Sequence, residues 1–99
     1  MLGGDERLAR QIVDEFLREV EEQVTSIQEA IAKGAFEELK RAAHRLKGTA
    51  ANVGAMALRS QAVRLEAAAG AEDSPAAASL ASGIALALQS FRAEVEVGP

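Results

Sequence analysis

The stretch that decides the fold is Ala43-His44-Arg45-Leu46-Lys47-Gly48-Thr49-Ala50-Ala51-Asn52-Val53-Gly54-Ala55. It holds the chain's one histidine, and it places a glycine inside a pattern that otherwise reads as helix. An interior glycine costs a helix about 1 kcal/mol relative to alanine, and this chain uses alanine freely. On a wheel of 3.6 residues per turn, Leu39, Leu46 and Val53 recur every seven residues and share one face, with Ala42, Ala43 and Ala50 beside them. His44 stands two residues before Leu46, roughly 200° around the axis, and is expected to point away from the core. Its neighbours at helical spacing are Lys40, Arg41, Lys47 and Gly48. The outer face thus offers an imidazole, three cations and one position without a side chain. That surface suits an incoming anion, and a bulky partner has room to approach the ring over Gly48.

His44-x-x-Lys47-Gly48, with Gly54-Ala55 six residues beyond Gly48, resembles the signature of histidine-containing phosphotransfer (HPt) domains. A bare His-x-x-Lys-Gly occurs by chance. On the outer face of an amphipathic helix, with a helix stop at that distance, it is far more specific. The resemblance covers essentially the whole chain, residues 1–99, as one domain. It implies a phosphorelay intermediate: His44 takes a phosphoryl group from a receiver-domain phosphoaspartate or a histidine kinase and passes it to another receiver. Such a domain is a phosphocarrier with no kinase or ATPase activity of its own. It needs no cofactor of its own, the Mg²⁺ being supplied by the partner receiver.

Composition is consistent with this. Ninety-nine residues fit one small domain. With 48% hydrophobic residues but only three aromatics, Leu, Val, Ile and Ala must supply the core. The absence of cysteine excludes disulfides and thiolate metal sites. A net charge of −4 argues against general nucleic-acid binding. No apolar run approaches the roughly 20 residues of a membrane span, and Met1-Leu2-Gly3-Gly4-Asp5 does not read as a signal peptide. A cytoplasmic, monomeric protein is the expectation.

Leu8, Ile12, Phe16, Val20, Val24, Ile27 and Ile31 recur at spacings of three and four, with Asp5 as a candidate cap and Gly34 as the stop. The pattern reads either as one long helix or as a short helix followed by a longer one. The resemblance implies the latter, with a break near Val20–Gln23. Gly34 is expected to end this segment in the left-handed conformation, and also to replace the missing cap of the His44 helix, since Ala35 cannot cap. That helix should end near Asn52. The next runs from about Ala55 to Gly70 and buries Leu58, Ala62, Leu65 and Ala69. The last starts with Ser74 as cap and Pro75 at the first helical position. It shows Leu80, Ile84, Leu88, Phe91 and Val95 at helical spacing, carries Gly83 as a close-packing position, and ends in a frayed Val97-Gly98-Pro99 tail. Short connections between four apolar stripes predict an all-α, up-down-up-down antiparallel four-helix bundle, with the short additional N-terminal helix implied by the resemblance.

In an antiparallel hairpin turning near Gly54, the neighbour of His44 should lie ten to twelve residues past the turn, a window of Arg64, Leu65 and Glu66. Leu65 belongs to the buried stripe. Glu66 can accept a hydrogen bond from Nδ1 of the ring, which leaves Nε2 as the nucleophile. The resemblance points to the same residue, twenty-two after the histidine. Lys47 is the expected charge neutraliser for the phosphoryl group, and Lys40, Arg41, Arg45, Gly48 and Ala51 are the expected partner-binding residues. Kinase dimerisation helices also carry a phosphorylated histidine, but typically with an acidic residue after it and a proline four further on. Arg45 and Thr49 occupy those places here. The rival reading is a helical adaptor that docks a receiver or kinase without carrying phosphate.

Overall fold

The computed structural model describes the backbone of residues 2–97 and the side-chain surroundings of residues 7–94. Within them lie four helices and no strand: α1 (Leu2–Lys33), α2 (Phe36–Asn52), α3 (Met56–Gly70) and α4 (Ser74–Val97). Each helix packs against two others, in the ring α1–α2–α3–α4, and among the described residues no diagonal pair brings its backbones together. One end gathers Ala30, Ile31 and Gly34 with Phe36, Leu39, Ser74 and Ala77. The other gathers Ile12 and Phe16 with Thr49, Asn52 and Val53.

The core follows the apolar periodicity. Phe16, Val20, Val24 and Ile27 of α1, Leu39, Leu46 and Ala50 of α2, Leu58, Ala62 and Leu65 of α3, and Ile84 and Leu88 of α4 are all buried in one hydrophobic cluster. Ala42, Ala43, Ala62, Ala69 and Ala77 are almost wholly enclosed. Residues this small let helix axes come close, which is how a chain with three aromatics closes its interior. Phe16 and Phe91 add an edge-to-face contact with centroids 5.3 Å apart.

The first three helices share one way of stopping. Ala35 N–H bonds back to Ala30 and Gly34 N–H to Ile31, with Gly34 at φ +68°. Ala55 and Gly54 repeat the pattern onto Ala50 and Ala51, with Gly54 at φ +74°. This is the paired 6→1 and 5→2 closure that needs a left-handed residue, and glycine adopts it without strain. The third closure, Asp73 to Ala68 and Glu72 to Ala69, puts Glu72 in that conformation at φ +55°. Gly70 is the last residue of α3, but it is not the left-handed one.

Several expectations are corrected. No break occurs near Val20–Gln23, and no separate short N-terminal helix precedes the bundle: α1 runs unbroken for 32 residues. Nothing in Val20-Glu21-Glu22-Gln23 breaks a helix, and the buried Val20 and Val24 lie on one uninterrupted stripe. The helix begins at Leu2, so Asp5 lies inside it rather than capping it. Leu8 and Ile12 are 57% and 53% exposed despite their periodicity. Ile12 lies level with Val53 at the α2–α3 turn, and Leu8 sits a further turn out. Val53 is 43% exposed, because α2 stops at Asn52 and the backbone leaves the helical path before the seven-residue repeat is completed.

The caps also shift. Gly34 does not cap α2; Ala35 holds that place without a side-chain bond, and Glu37 and Glu38 in the first turn complement the helix dipole instead. Asp73, not Ser74, caps α4, its Oδ1 accepting from Ala76 N–H at 3.1 Å. Pro75 thus falls one position later, still within the first turn, where no N–H is required. Gly83 does allow close packing: a Cβ there would lie 3.0 Å from the amide nitrogen of Gln61 on α3. The side chain of Val95 and the residues Gly98 and Pro99 lie outside the described residues. No described helix is long and apolar enough to cross a membrane.

Candidate functional site

α2 presents two faces to two environments. Leu39, Ala42, Ala43, Leu46 and Ala50 are buried, and burying each leucine is worth roughly 1.5–3 kcal/mol. That burial sets the rotation of the helix, and the rotation turns His44 outward with its side chain 65% exposed. Lys40, Arg41, Arg45, Gly48 and Ala51 are exposed on the same side. Gly48 has nothing within 4 Å of where a Cβ would stand, so packing within the domain gives no reason for a glycine there.

The α2–α3 hairpin brings Glu66 against this face. Its Oε2 lies 3.0 Å from Nδ1 of His44, and its Oε1 accepts a hydrogen bond from Nζ of Lys47 at 3.1 Å. The bond from the Lys47 ammonium holds the Glu66 carboxyl below the usual carboxylate range. Partial burial opposes this, and the contact with His44 reinforces it. An ionised Glu66 can only accept, so the ring nitrogen facing it must carry the proton. In the neutral ring, Nε2 is then left with a free lone pair.

In front of the ring is a shallow cleft of about 410 Å³ lined by Glu37, Lys40, Arg41, His44, Arg45 and Glu66. Helical side chains lean toward the N-terminus of their helix, so the imidazole lies over the turn that bears Lys40 and Arg41. Lys47 is absent from this lining. Sequence reading placed it among the cations of the outer face, and the structure draws it aside to Glu66. Glu37 was not singled out in the sequence, although it stands seven residues before His44 on the same stripe.

Arg45 borders α1, sharing a groove with Ser26 and Glu29. Its carbonyl accepts from Thr49 Oγ1 at 3.1 Å, and Thr49 Oγ1 accepts from Gln23 Nε2 of α1 at 3.0 Å. This polar link across the α1–α2 seam was not legible beforehand, because both residues read as ordinary polar positions. Among the described residues no three His, Cys, Asp or Glu side chains gather as a metal site.

No curated protein and no solved structure matches the chain significantly. A family model does match: that of the Hpt domain, over residues 11–94. The matched span includes the exposed His44, the Glu66 beside it and the bulk of all four helices, and the chain therefore belongs to the Hpt domain family.

Proposed function

We propose that this chain acts as one phosphotransfer domain, residues 1–99, on an up-down-up-down antiparallel bundle, and that it carries a phosphoryl group on Nε2 of His44. Hpt domains work with receiver domains and kinases in two-component phosphorelays as phosphocarriers rather than kinases. The observation that supports His44 as the acceptor is its Nδ1 contact with Glu66 on an exposed face ringed by cations. The neutral ring attacks the phosphorus of a receiver's phosphoaspartate with the Nε2 lone pair. The Nε2–P bond forms, the P–O bond to the aspartate breaks, and the carboxylate leaves with its electron pair. The Nδ1 proton stays on the ring, which becomes cationic, and Glu66 stabilises that charge. Returning the group to another receiver runs the same step backwards. The Mg²⁺ belongs to the receiver, and the domain supplies nucleophile, orientation and positive charge. Transfer of this kind depends mainly on positioning and electrostatics.

The receiver docks over α2 and the adjoining face of α3, with Gly48 and Ala51 giving its backbone a close approach. The test is incubation with a phosphorylated receiver. Acid-labile, base-stable phosphate on His44 is the expected result. Binding without label would leave the adaptor reading in its place.

A further inference from the structure

Of the six large apolar side chains left exposed among the described residues, four gather at one end of the bundle: Leu8, Ile12, Val53 and Met56. Scattered singly, such side chains are ordinary, but a cluster of them marks an interaction surface. α1 is longer than α2, so Leu8 and Ile12 form a shoulder, with Val53 and Met56 at its foot on either side of the α2–α3 turn. The groove there has a volume of about 500 Å³. Ile12, Phe16 and Val53 give it an apolar lining, and Glu15, Glu19 and Glu22 give it an acidic one, with Arg18 as its one cation. It shares no lining residue with the cleft before His44.

Such a groove fits an apolar ridge bordered by cations. Glu15, Glu19 and Glu22 follow one another at spacings of four and three, where like charges destabilise a helix. A cationic occupant relieves that repulsion. α1 itself carries the matching ridge just ahead of the groove, where Arg7, Leu8 and Arg10 are all exposed. Arg10 meets Asp14 of its own helix at 3.7 Å with both side chains more than half exposed, and a surface pair of that kind exchanges at little cost. Two copies laid antiparallel about a two-fold axis near Ile12 bring Leu8 of each over the groove floor at Phe16 and Val53 of the other. The same placement sets Arg10 of one copy opposite Asp14 of the other, and Arg7 within a helical turn of Glu15 and Glu19. One contact used twice then covers the exposed end of both copies and opposes unlike charges in both places.

We infer that this end of the bundle is a self-association surface, at which two copies of the chain pair antiparallel through residues 7–22 of α1, in place of the monomer expected from the sequence. The pair leaves both His44 faces open, because the groove and the histidine cleft have no residue in common. The inference stands apart from the carrier reading above, and its tests need no phosphate.

Sedimentation equilibrium of the full chain from roughly 10 µM to roughly 1 mM, a range that reads weak association, should show the average mass rising from one chain toward two. Leu8→Glu combined with Ile12→Glu weakens association about tenfold or more. The melting temperature of dilute protein stays as in wild type, because both side chains are exposed. Charge reversal gives the sharper readout. Arg7→Glu with Arg10→Glu sets acid against acid, and Glu15→Lys with Glu19→Lys sets cation against cation, so each variant alone stays a monomer. Mixed in equal amounts, the two variants form a heterodimer in which these contacts are again between unlike charges. Wild type that remains a single chain across the range would overturn the inference. Self-association that survives Leu8→Glu with Ile12→Glu would overturn it too, as would charge-reversed variants that stay apart when mixed. Amide signals of Ile12 and Val53 that move on adding a receiver, but not with protein concentration, would assign the groove to the receiver instead.

Discussion

The outer faces of α2 and α4 differ sharply. α2 exposes Glu37, Lys40, Arg41, His44 and Arg45 within nine residues. α4 exposes Ala78, Ser79, Ser82, Leu86, Gln89 and Ser90, with no charged residue between Asp73 and Arg92. Both helices bury an equivalent apolar stripe, Leu39, Leu46 and Ala50 in one and Ala77, Ile84 and Leu88 in the other. The bundle therefore places no demand for charge on an exposed helix face. Packing therefore does not require the cations and the histidine of α2, which is consistent with the docking face proposed above.

The largest expected effect is on transfer itself. His44→Gln abolishes phosphorylation by a phosphorylated receiver while leaving helicity and melting temperature unchanged, because the side chain is exposed. A labelled variant, or a large loss of stability, would contradict the contrast between the faces. Next is Gly48→Gln, which weakens receiver binding at least tenfold yet stabilises the isolated domain by up to about 1 kcal/mol. Its counterpart on the other face, Leu86→Gln, leaves receiver affinity unchanged. Titration calorimetry with both variants sharpens the comparison, and equal effects would erase it.

Smaller effects concern electrostatics. Association with a receiver should slow as salt is raised, since Lys40, Arg41 and Arg45 steer an acidic partner surface. Stopped-flow rates that ignore ionic strength would remove the cations from the docking argument. The smallest effect is on stability in acid. Glu66 is depressed below its ordinary value of 4.5 by Lys47 and His44, so the unfolded chain takes up the proton first as pH falls. The stabilisation it provides is fully present above that value and is lost as pH drops through the depressed one. Glu66→Gln should flatten this part of the acid limb in denaturation curves measured from pH 6 down to about 3, whereas Gln89→Glu on α4 should not introduce a comparable limb.

Much of this was readable in the chain because helix physics is local. The seven-residue recurrence of Leu39 and Leu46 sets the rotation of α2, and that rotation sends His44 outward. Counting residues across the turn at Gly54 brings Glu66 to the ring, because two antiparallel helices rise equally per residue. The stops at Gly34 and Gly54 are local too, as each needs only a residue that tolerates positive φ. The cap of α4 was misplaced by one residue because Asp73 and Ser74 are both good caps, and the choice depends on which carbonyl–amide pairs the preceding helix has already closed. Asp73 serves both helices: its N–H completes α3 and its carboxylate opens α4.

What the sequence by itself determined is the three later helices, most of each buried stripe and the outward histidine with its cations, all consequences of spacing along one element. Tertiary structure decided what depends on a neighbour's length or position. Leu8 and Ile12 have the spacing of core residues, but α1 is 32 residues long beside a 17-residue α2, so its first turns stand at and beyond the turn that would otherwise cover them. α1 stayed continuous because α2 and α4 bury a single unbroken stripe along it. Lys47 could have faced the cleft or the α2–α3 seam at the same wheel angle. Only the placement of a carboxylate on another helix, 3.1 Å from its ammonium, settled which.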